Sequence, residues 1–383
     1  MYYITLKQNP RFKQMTIEEL LFGEDKFFSD KTEYSSFDES STRTLAVERV
    51  SDRFKSNIDV DDIIKLFVNF NKQTEQLRAE DRMSLYNTFY IPKRTSGKRR
   101  IDAPKIELMD ALRELKRIIE SVSTATYHTS SFAYIKGRNT LSAVKKHQNN
   151  NSKWFGKYDL SNFFGSITIE FAMSMFEKVF PFSEILRTSF GKSQFQTAIE
   201  LAFLNGGLPQ GTPVSPLITN IIMIPIDFEL SKSFRSLNGQ QYVYTRYADD
   251  FIVSSRYDFN CREIEEHICD VLNSFNSPFE LNKKKTRYGS SSGSNWNLGV
   301  MLNSQNKITI GYKNKKRFEA LLHNYAMDKK NGIDWEFEEV LHLNGLISYY
   351  KMVEGDTIDN IINHISRKTG VNILFELKMD LKR

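Results

Sequence analysis

Three aspartates have the type and placement for metal chemistry: Asp249 and Asp250, adjacent in Tyr247-Ala248-Asp249-Asp250, and Asp159 in Lys157-Tyr158-Asp159-Leu160. An adjacent acidic pair is ordinary by itself, because such pairs favour turns and stay solvated. The flanks change that reading. Gln241 to Arg246 and Phe251 to Ser255 are both rich in β-formers, so the pair falls at the tip of an apolar hairpin. Lys153 to Leu160 reads as a short buried strand that ends near the third acid. Buried carboxylates need a cation to offset their desolvation. Nucleotidyl transfer supplies a use for one, since it employs two divalent ions about 3.5–4 Å apart to activate a hydroxyl and hold a triphosphate. Magnesium suits such oxygen ligands, with manganese as the alternative ion. Successive strand residues face opposite ways, so Asp249 and Asp159 are expected as the main bridging ligands. Asp250 is then a partial or outer one unless the tip is twisted.

The elements that must carry these acids follow from the same patterns. Leu108, Leu112, Leu115, Ile118 and Ile119 recur at helical spacing between Ile101 and Ser123, with Pro104 expected in the first turn, after the basic segment Lys93 to Arg100. A helix is expected from Thr168 to Phe180, and another after the acidic hairpin with Ile264, Ile268, Val271, Leu272 and Phe275 on one face. Residues 295–302 and 307–311 flank Asn303 to Asn306 as a second hairpin. Helices are expected near 314–328, 335–352 and 356–368, the last capped by Asp356-Thr357. Residues 1–50 read as a polar N-terminal extension with a loose Ser/Thr/Asp-rich stretch from Thr32 to Thr44.

Composition bounds the function classes. With 383 residues, 40% apolar and 13% aromatic, the chain can fill two or three globular cores. Lysine and arginine number 53 against 47 acids, a charge of +6 that fits an anionic partner without demanding one. Cys261 and Cys269 make neither a CxxC ligand pair nor a disulfide framework, which suggests a reducing compartment. Met1 to Pro10 shows no secretory pattern, and the apolar run Leu217 to Ile226 is interrupted and too short to span a bilayer. No membrane association and a cytoplasmic location are expected.

The motifs then resemble a known family. Tyr247-Ala-Asp-Asp250 resembles the YxDD box of reverse transcriptases, and Tyr158 to Ile167 (YDLSNFFGSI) their first catalytic block. Leu208 to Pro216 (LPQGTPVSP) resembles the block between them, and Lys98 to Pro104 (KRRIDAP) the fingers segment that grips triphosphate. Lys285-Thr286 and Trp296 to Val300 resemble the lysine block and the primer grip, so the likeness runs over roughly residues 85 to 350. It implies an RNA-directed DNA polymerase with an α+β right-hand fold. Fingers would span 51–150, a palm of antiparallel sheet plus helices 151–305, with a fingers-type insertion at about 168–205, and a helical thumb with C-terminal helices 306–383.

Residue by residue, the resemblance implies that Asp159, Asp249 and Asp250 are catalytic and ligate two Mg2+ ions, with Leu160 giving a backbone carbonyl. Lys98 and Arg99 would bind the triphosphate, with Arg100 as the alternative to Arg99. Phe164 would be a steric gate against a 2′-hydroxyl, the alternative being a core phenylalanine. Gln210 would lie at the nucleotide's sugar, Gly211 would let backbone approach it, and Lys285 would contact substrate.

The overall similarity is to bacterial retron and antiviral-defence reverse transcriptases, abortive-infection types included, whose motif ahead of the palm Tyr134 to Asn139 resembles. Ser142 to His147 stands where retrons carry Asn-Ala-x-x-His, and Leu298-Gly-Val300 where they carry Val-Thr-Gly. These departures lean towards a defence-associated relative and leave retron membership open. The implied partners are dNTPs, a DNA product and a structured noncoding RNA as template and primer. Lys283 to Tyr288 and Lys313 to Phe318 offer basic and aromatic contacts to a duplex. An effector protein or a homo-oligomer stays open. No RNase H or nuclease pattern follows the thumb, so a complete retroviral polymerase is not expected. Two other readings remain: an untemplated or protein-primed DNA polymerase, and a non-catalytic RNA-binding scaffold, against which the three intact acids argue.

Overall fold

The computed structural model describes residues 59–92, 97–123, 127–235, 237–291 and 300–382. The N-terminal extension, Lys93 to Ser96 and Trp296 to Gly299 of the expected primer grip lie outside the described residues. Contacts divide the chain into two interleaved units: residues 1–131, 162–229 and 272–279 form unit 1, and residues 132–161, 230–271 and 280–383 form unit 2. This division differs from the fingers, palm and thumb boundaries drawn on the sequence, since residues 132–150 group with the sheet of unit 2.

Unit 1 is mainly helical. Helix Val60–Gln73 starts where the Asp59 carboxylate accepts from the backbone N–H of Asp61 and Asp62. It buries Phe67 edge-on against Phe195 of helix Ser189–Glu200, with ring centroids 5.1 Å apart. Phe176 and Phe182 complete that aromatic cluster, at 4.9 and 5.5 Å from Phe195. Helix Ile106–Val122 buries the expected stripe of Leu108, Leu112, Leu115, Ile118 and Ile119. Ahead of it lies an antiparallel ribbon of β1 (Tyr86–Pro92) and β2 (Lys98–Pro104). Pro104 is therefore the last residue of a strand, opposite Tyr86, and not in the first turn of a helix. A proline at a strand end sacrifices no ladder bond, which is why it is tolerated there. The helix expected to reach Phe180 runs only from Ile169 to Phe176, after which the N–H groups of Lys178 and Val179 donate three residues back, to the carbonyls of Met175 and Phe176, in tighter turns.

Unit 2 is built on β3 (Trp154–Asp159), β4 (Val243–Tyr247), β5 (Asp250–Ser255) and β6 (Arg287–Ser290), antiparallel in the order β4-β5-β3-β6. Gly156 has no side chain because the Tyr158 ring lies over it: a Cβ there would meet the Tyr158 hydroxyl at 2.6 Å. Tyr158 in turn donates to the carbonyl of Cys261, which opens helix Cys261–Ser274. Helix Thr140–Asn149 is pinned to the sheet by His147, whose ring nitrogens lie 2.6 Å from Ser254 Oγ and 2.8 Å from Thr245 Oγ1. Burial pushes that imidazole down to about 3, so it stays neutral.

The second hairpin is short, with β7 (Met301–Leu302) paired to β8 (Ile308–Thr309). Helices Tyr312–Lys330, Phe337–Thr369 and Ile373–Asp380 then share a core of residues such as Phe318, Leu322, Leu343 and Ile362. The two helices expected at 335–352 and 356–368 form one run with a kink at Glu354 (φ −141°, ψ 59°). The Glu354 carboxylate accepts from Thr309 Oγ1 and Ile310 N at 2.8 Å and from Lys315 Nζ at 2.7 Å, so tertiary bonds replace the expected cap. Helices and antiparallel sheets together make the α+β class expected.

Candidate active site

The carboxylates come together at one end of the unit 2 sheet. Register places Tyr247 opposite Asp250, so Ala248 and Asp249 form the two-residue tip of the β4–β5 hairpin. Ala248 has φ 57°, a left-handed conformation that costs an L-residue about 1–2 kcal/mol. Arg246, fully buried, donates Nη1 to the Ala248 carbonyl at 3.2 Å and helps hold that shape. The β3–β5 register puts Asp159 directly opposite Asp250, and Leu160 N–H donates to the Asp249 carbonyl at 3.0 Å. Left-handed Ala248 breaks the plain strand alternation at the tip, the condition under which Asp250 need not be an outer ligand. Asn282 N–H to Asp159 O (2.7 Å) and Ser161 N–H to Glu280 O (2.8 Å) fix the chain after β3.

The electrostatics of this cluster are unfavourable for bare charge. Burial raises the Asp249 carboxyl to about 6, with the neighbouring Asp250 and then Asp159 adding repulsion. Burial raises Asp250 as well, against the pull of Lys157. Each remaining acid has a lysine: Lys285 Nζ is 2.7 Å from Asp159 Oδ1, and Lys157 Nζ is 2.7 Å from Asp250 Oδ2. Among the described residues no three His, Cys, Asp or Glu side chains close into a metal cage. Magnesium in phosphoryl-transfer sites needs none, because it is held by one or two carboxylates plus water and substrate phosphates. Mutually repelling carboxylates, Asp159 buried and Asp249 and Asp250 half-buried, fit a divalent cation, and the Lys285 and Lys157 ammoniums already pair with two of them.

Sequence reading missed Lys157 and Arg246. The signal for Lys157 was its i, i+2 spacing to Asp159, which puts both side chains on one face of β3. For Arg246 the signal was a cation inside an otherwise apolar strand.

Unit 1 carries the other expected substrate residues. Lys98 and Arg99 are exposed at the start of β2, and alternation turns them to opposite faces of the ribbon. Arg100 donates Nε to Asp102 Oδ1 at 2.8 Å, and Thr88 Oγ1 donates to the same oxygen at 2.7 Å. Arg100 is thus engaged within the ribbon, which favours Arg99 for an external anion. Asp102 N–H donates to the Gln210 carbonyl at 3.0 Å, tying β2 to the Leu208–Pro216 segment. Gly211 has φ 120°, and a Cβ on it would meet Asp102 O and Ile101 Cγ2 at 3.1 Å. Gln210 is half-buried and Gly211 exposed. Leu208 N–H donates to the Phe164 carbonyl at 3.0 Å. Of the two phenylalanines there, Phe163 is the core residue, buried and packed on Phe279, while Phe164 is half-buried with its ring edge on Phe163.

Residues 91–317 match the family model described as reverse transcriptase (RNA-dependent DNA polymerase). Retron Ec83 reverse transcriptase of Escherichia coli is 29% identical over 302 residues, covering 76% of this chain and 89% of that one. Retron Mx65 reverse transcriptase of Myxococcus xanthus is 26% identical over 294 residues, covering 74% of this chain and 65% of that one. Retron Ec73 reverse transcriptase of Escherichia coli is 27% identical over 239 residues, 59% of this chain and 71% of that one. A solved telomerase from Candida albicans, in complex with a TWJ fragment of telomeric RNA, superposes with a TM-score of 0.43 and 13% identity over 74% of this chain and 63% of that one. No helix among the described residues is long and apolar enough to cross a membrane. The motif order, the paired acids at the hairpin tip, the family model and the retron matches agree: the chain belongs to the reverse transcriptase (RNA-dependent DNA polymerase) family and stands with its bacterial retron-type enzymes.

Proposed function

We propose that this chain polymerises dNTPs on a structured noncoding RNA partner through two-metal nucleotidyl transfer at Asp159, Asp249 and Asp250. The observation that carries the reading is the meeting of three acids from two strands and a turn, with the half-buried Asp249 carboxyl raised to about 6 by desolvation and its acidic neighbours. A fold that merely bound RNA would have no use for that repulsion. Bound divalent ions would supply charge neutralisation for the triphosphate and acidify the attacking hydroxyl. Every other contribution comes from the chain itself.

In this reading Asp159 and Asp250, facing one another across β3 and β5, and Asp249 at the tip are the ligands. The Leu160 carbonyl joins them, since an extended residue's N–H and C=O lie on the same edge and its N–H already points to Asp249. Lys285, largely exposed beside Asp159, is free to swing onto a phosphate. Arg99 and Lys98 grip triphosphate, Gln210 and Gly211 adjoin the sugar, and Phe164 excludes a 2′-hydroxyl. Residues 51–150 act as fingers, 151–305 as palm and 306–383 as thumb. The anti-phage role and the noncoding RNA rest on the resemblance to retron and defence enzymes.

Primer extension on an RNA of mixed sequence, read by sequencing, tests this. A product complementary to the template supports the proposal. DNA unrelated to the template would select the untemplated polymerase, and RNA binding with no DNA would select the scaffold.

A further inference from the structure

The two acid–lysine pairs at the sheet end are not equivalent. Lys285 lies in the turn just before β6, and its side chain is 61% exposed against 8% for Asp159. An exposed ammonium on a long stem trades its partner for water at little cost. Lys157 is 20% exposed and Asp250 is 14% exposed, and both project from central strands of the sheet. Lys157 sits two residues before Asp159 on the same face of β3, with Ile252 opposite it and Asp250 diagonally across. Parting such a pair leaves charge buried without a partner. Arg287, opposite Lys157 on β6, adds a second cation to that face, and the nearby Asp159 carboxylate is already held by Lys285.

We propose that Lys157 is a positioning residue that holds the Asp250 carboxylate while no divalent ion is bound and competes with that ion for it, so that Lys157 sets how much Mg2+ the enzyme needs. The proposal rests on the metal-site reading given above. Lys157 makes no contact with substrate in this role and acts only through Asp250. A neutral side chain of similar length removes the competitor and leaves the acids bare. Arginine keeps a charge that grips a carboxylate with two parallel bonds and competes harder.

The test is Mg2+ titration of the full-length protein, followed by calorimetry and by melting temperature, without any reaction. Lys157→Met should melt lower than wild type in EDTA, gain more from Mg2+, and reach half-saturation at roughly tenfold less ion. Lys157→Arg should need more ion than wild type. Identical midpoints and identical melting increments across the three proteins would overturn the competition, as would weaker Mg2+ binding by Lys157→Met. Should the variants fail to fold, acylation footprinting of the wild type decides. Lys157 should react faster with Mg2+ present than in EDTA, and an unchanged rate refutes the proposal. If the wild type shows no Mg2+ heat and no melting shift, the metal site itself falls. If it shows both while Lys157→Met matches it, only the role of Lys157 falls.

Discussion

The protein contains two antiparallel hairpins with charged residues at functional positions, and they are built in opposite ways. The β4–β5 hairpin lies in a four-stranded sheet and buries nearly every residue between Tyr244 and Ser255 apart from its tip. The β1–β2 ribbon stands as a pair, and after Tyr86 its first strand is exposed, with Phe89 and Tyr90 about half in solvent. The first three residues of β2 are exposed cations. Ligands for small hard ions must be held within tenths of an ångström, which demands packing on both sides. A grip on a flexible triphosphate gains more from long, mobile cations that can follow it. The difference suggests that the carboxylate end tolerates almost no substitution and that the ribbon's cations can be exchanged at modest cost.

The largest effect should come from the rigid hairpin. Asp249→Asn with Asp250→Asn should lower dNTP incorporation by on the order of a thousandfold or more. Circular dichroism should show the fold retained, since relief of the repulsion between the acids offsets the loss of the Asp250–Lys157 pair. Near-wild-type rates in a folded double variant would reverse the comparison.

Next in size is the pH dependence of stability without metal. The Asp249 carboxyl is raised in the folded state from its ordinary 3.8 to about 6, so the folded protein holds that proton more tightly. The stability it contributes is fully present below about pH 3.8 and is lost as pH rises through about 6, for a total of about 3 kcal/mol. Asp250 is shifted the same way and adds to the trend. Urea unfolding in EDTA should therefore show wild type losing ground to Asp249→Asn between pH 4 and 7. Parallel curves would mean that the tip is as solvated as the ribbon.

Phe164 lies between the two regimes, half-buried on a fixed loop. Phe164→Val should raise the ratio of rNTP to dNTP incorporation about tenfold, because the ring's volume is what a 2′-hydroxyl would need. An unchanged ratio in a protein of lowered melting temperature would make Phe164 a core residue like Phe163. The smallest effect is expected on the ribbon. Arg99→Ala should raise the KM for dNTP several-fold, to about tenfold, at unchanged stability, whereas Arg100→Ala should leave KM alone. The opposite pattern would hand the triphosphate to Arg100 despite its bond to Asp102.

Sequence patterns located the acids, the strands that bear them and most helices, because burial imposes periodicity and the hairpin's apolar flanks leave only its tip for charge. They failed where neighbours distant in the chain overrode local preference. Pro104 joined a strand because Tyr86 lies opposite it, and Glu354 broke a helix because Thr309, Ile310 and Lys315 supply its carboxylate with donors. The same holds at the site. The types and spacing of Asp159, Asp249 and Asp250 determined by themselves what chemistry was available. Only the tertiary structure decided that Asp159 faces Asp250, that Ala248 turns left-handed to bring Asp249 in, and that Lys157 and Lys285 divide the acids between them. Register and ion pairing are set by which strands lie side by side, and a local pattern carries no record of that.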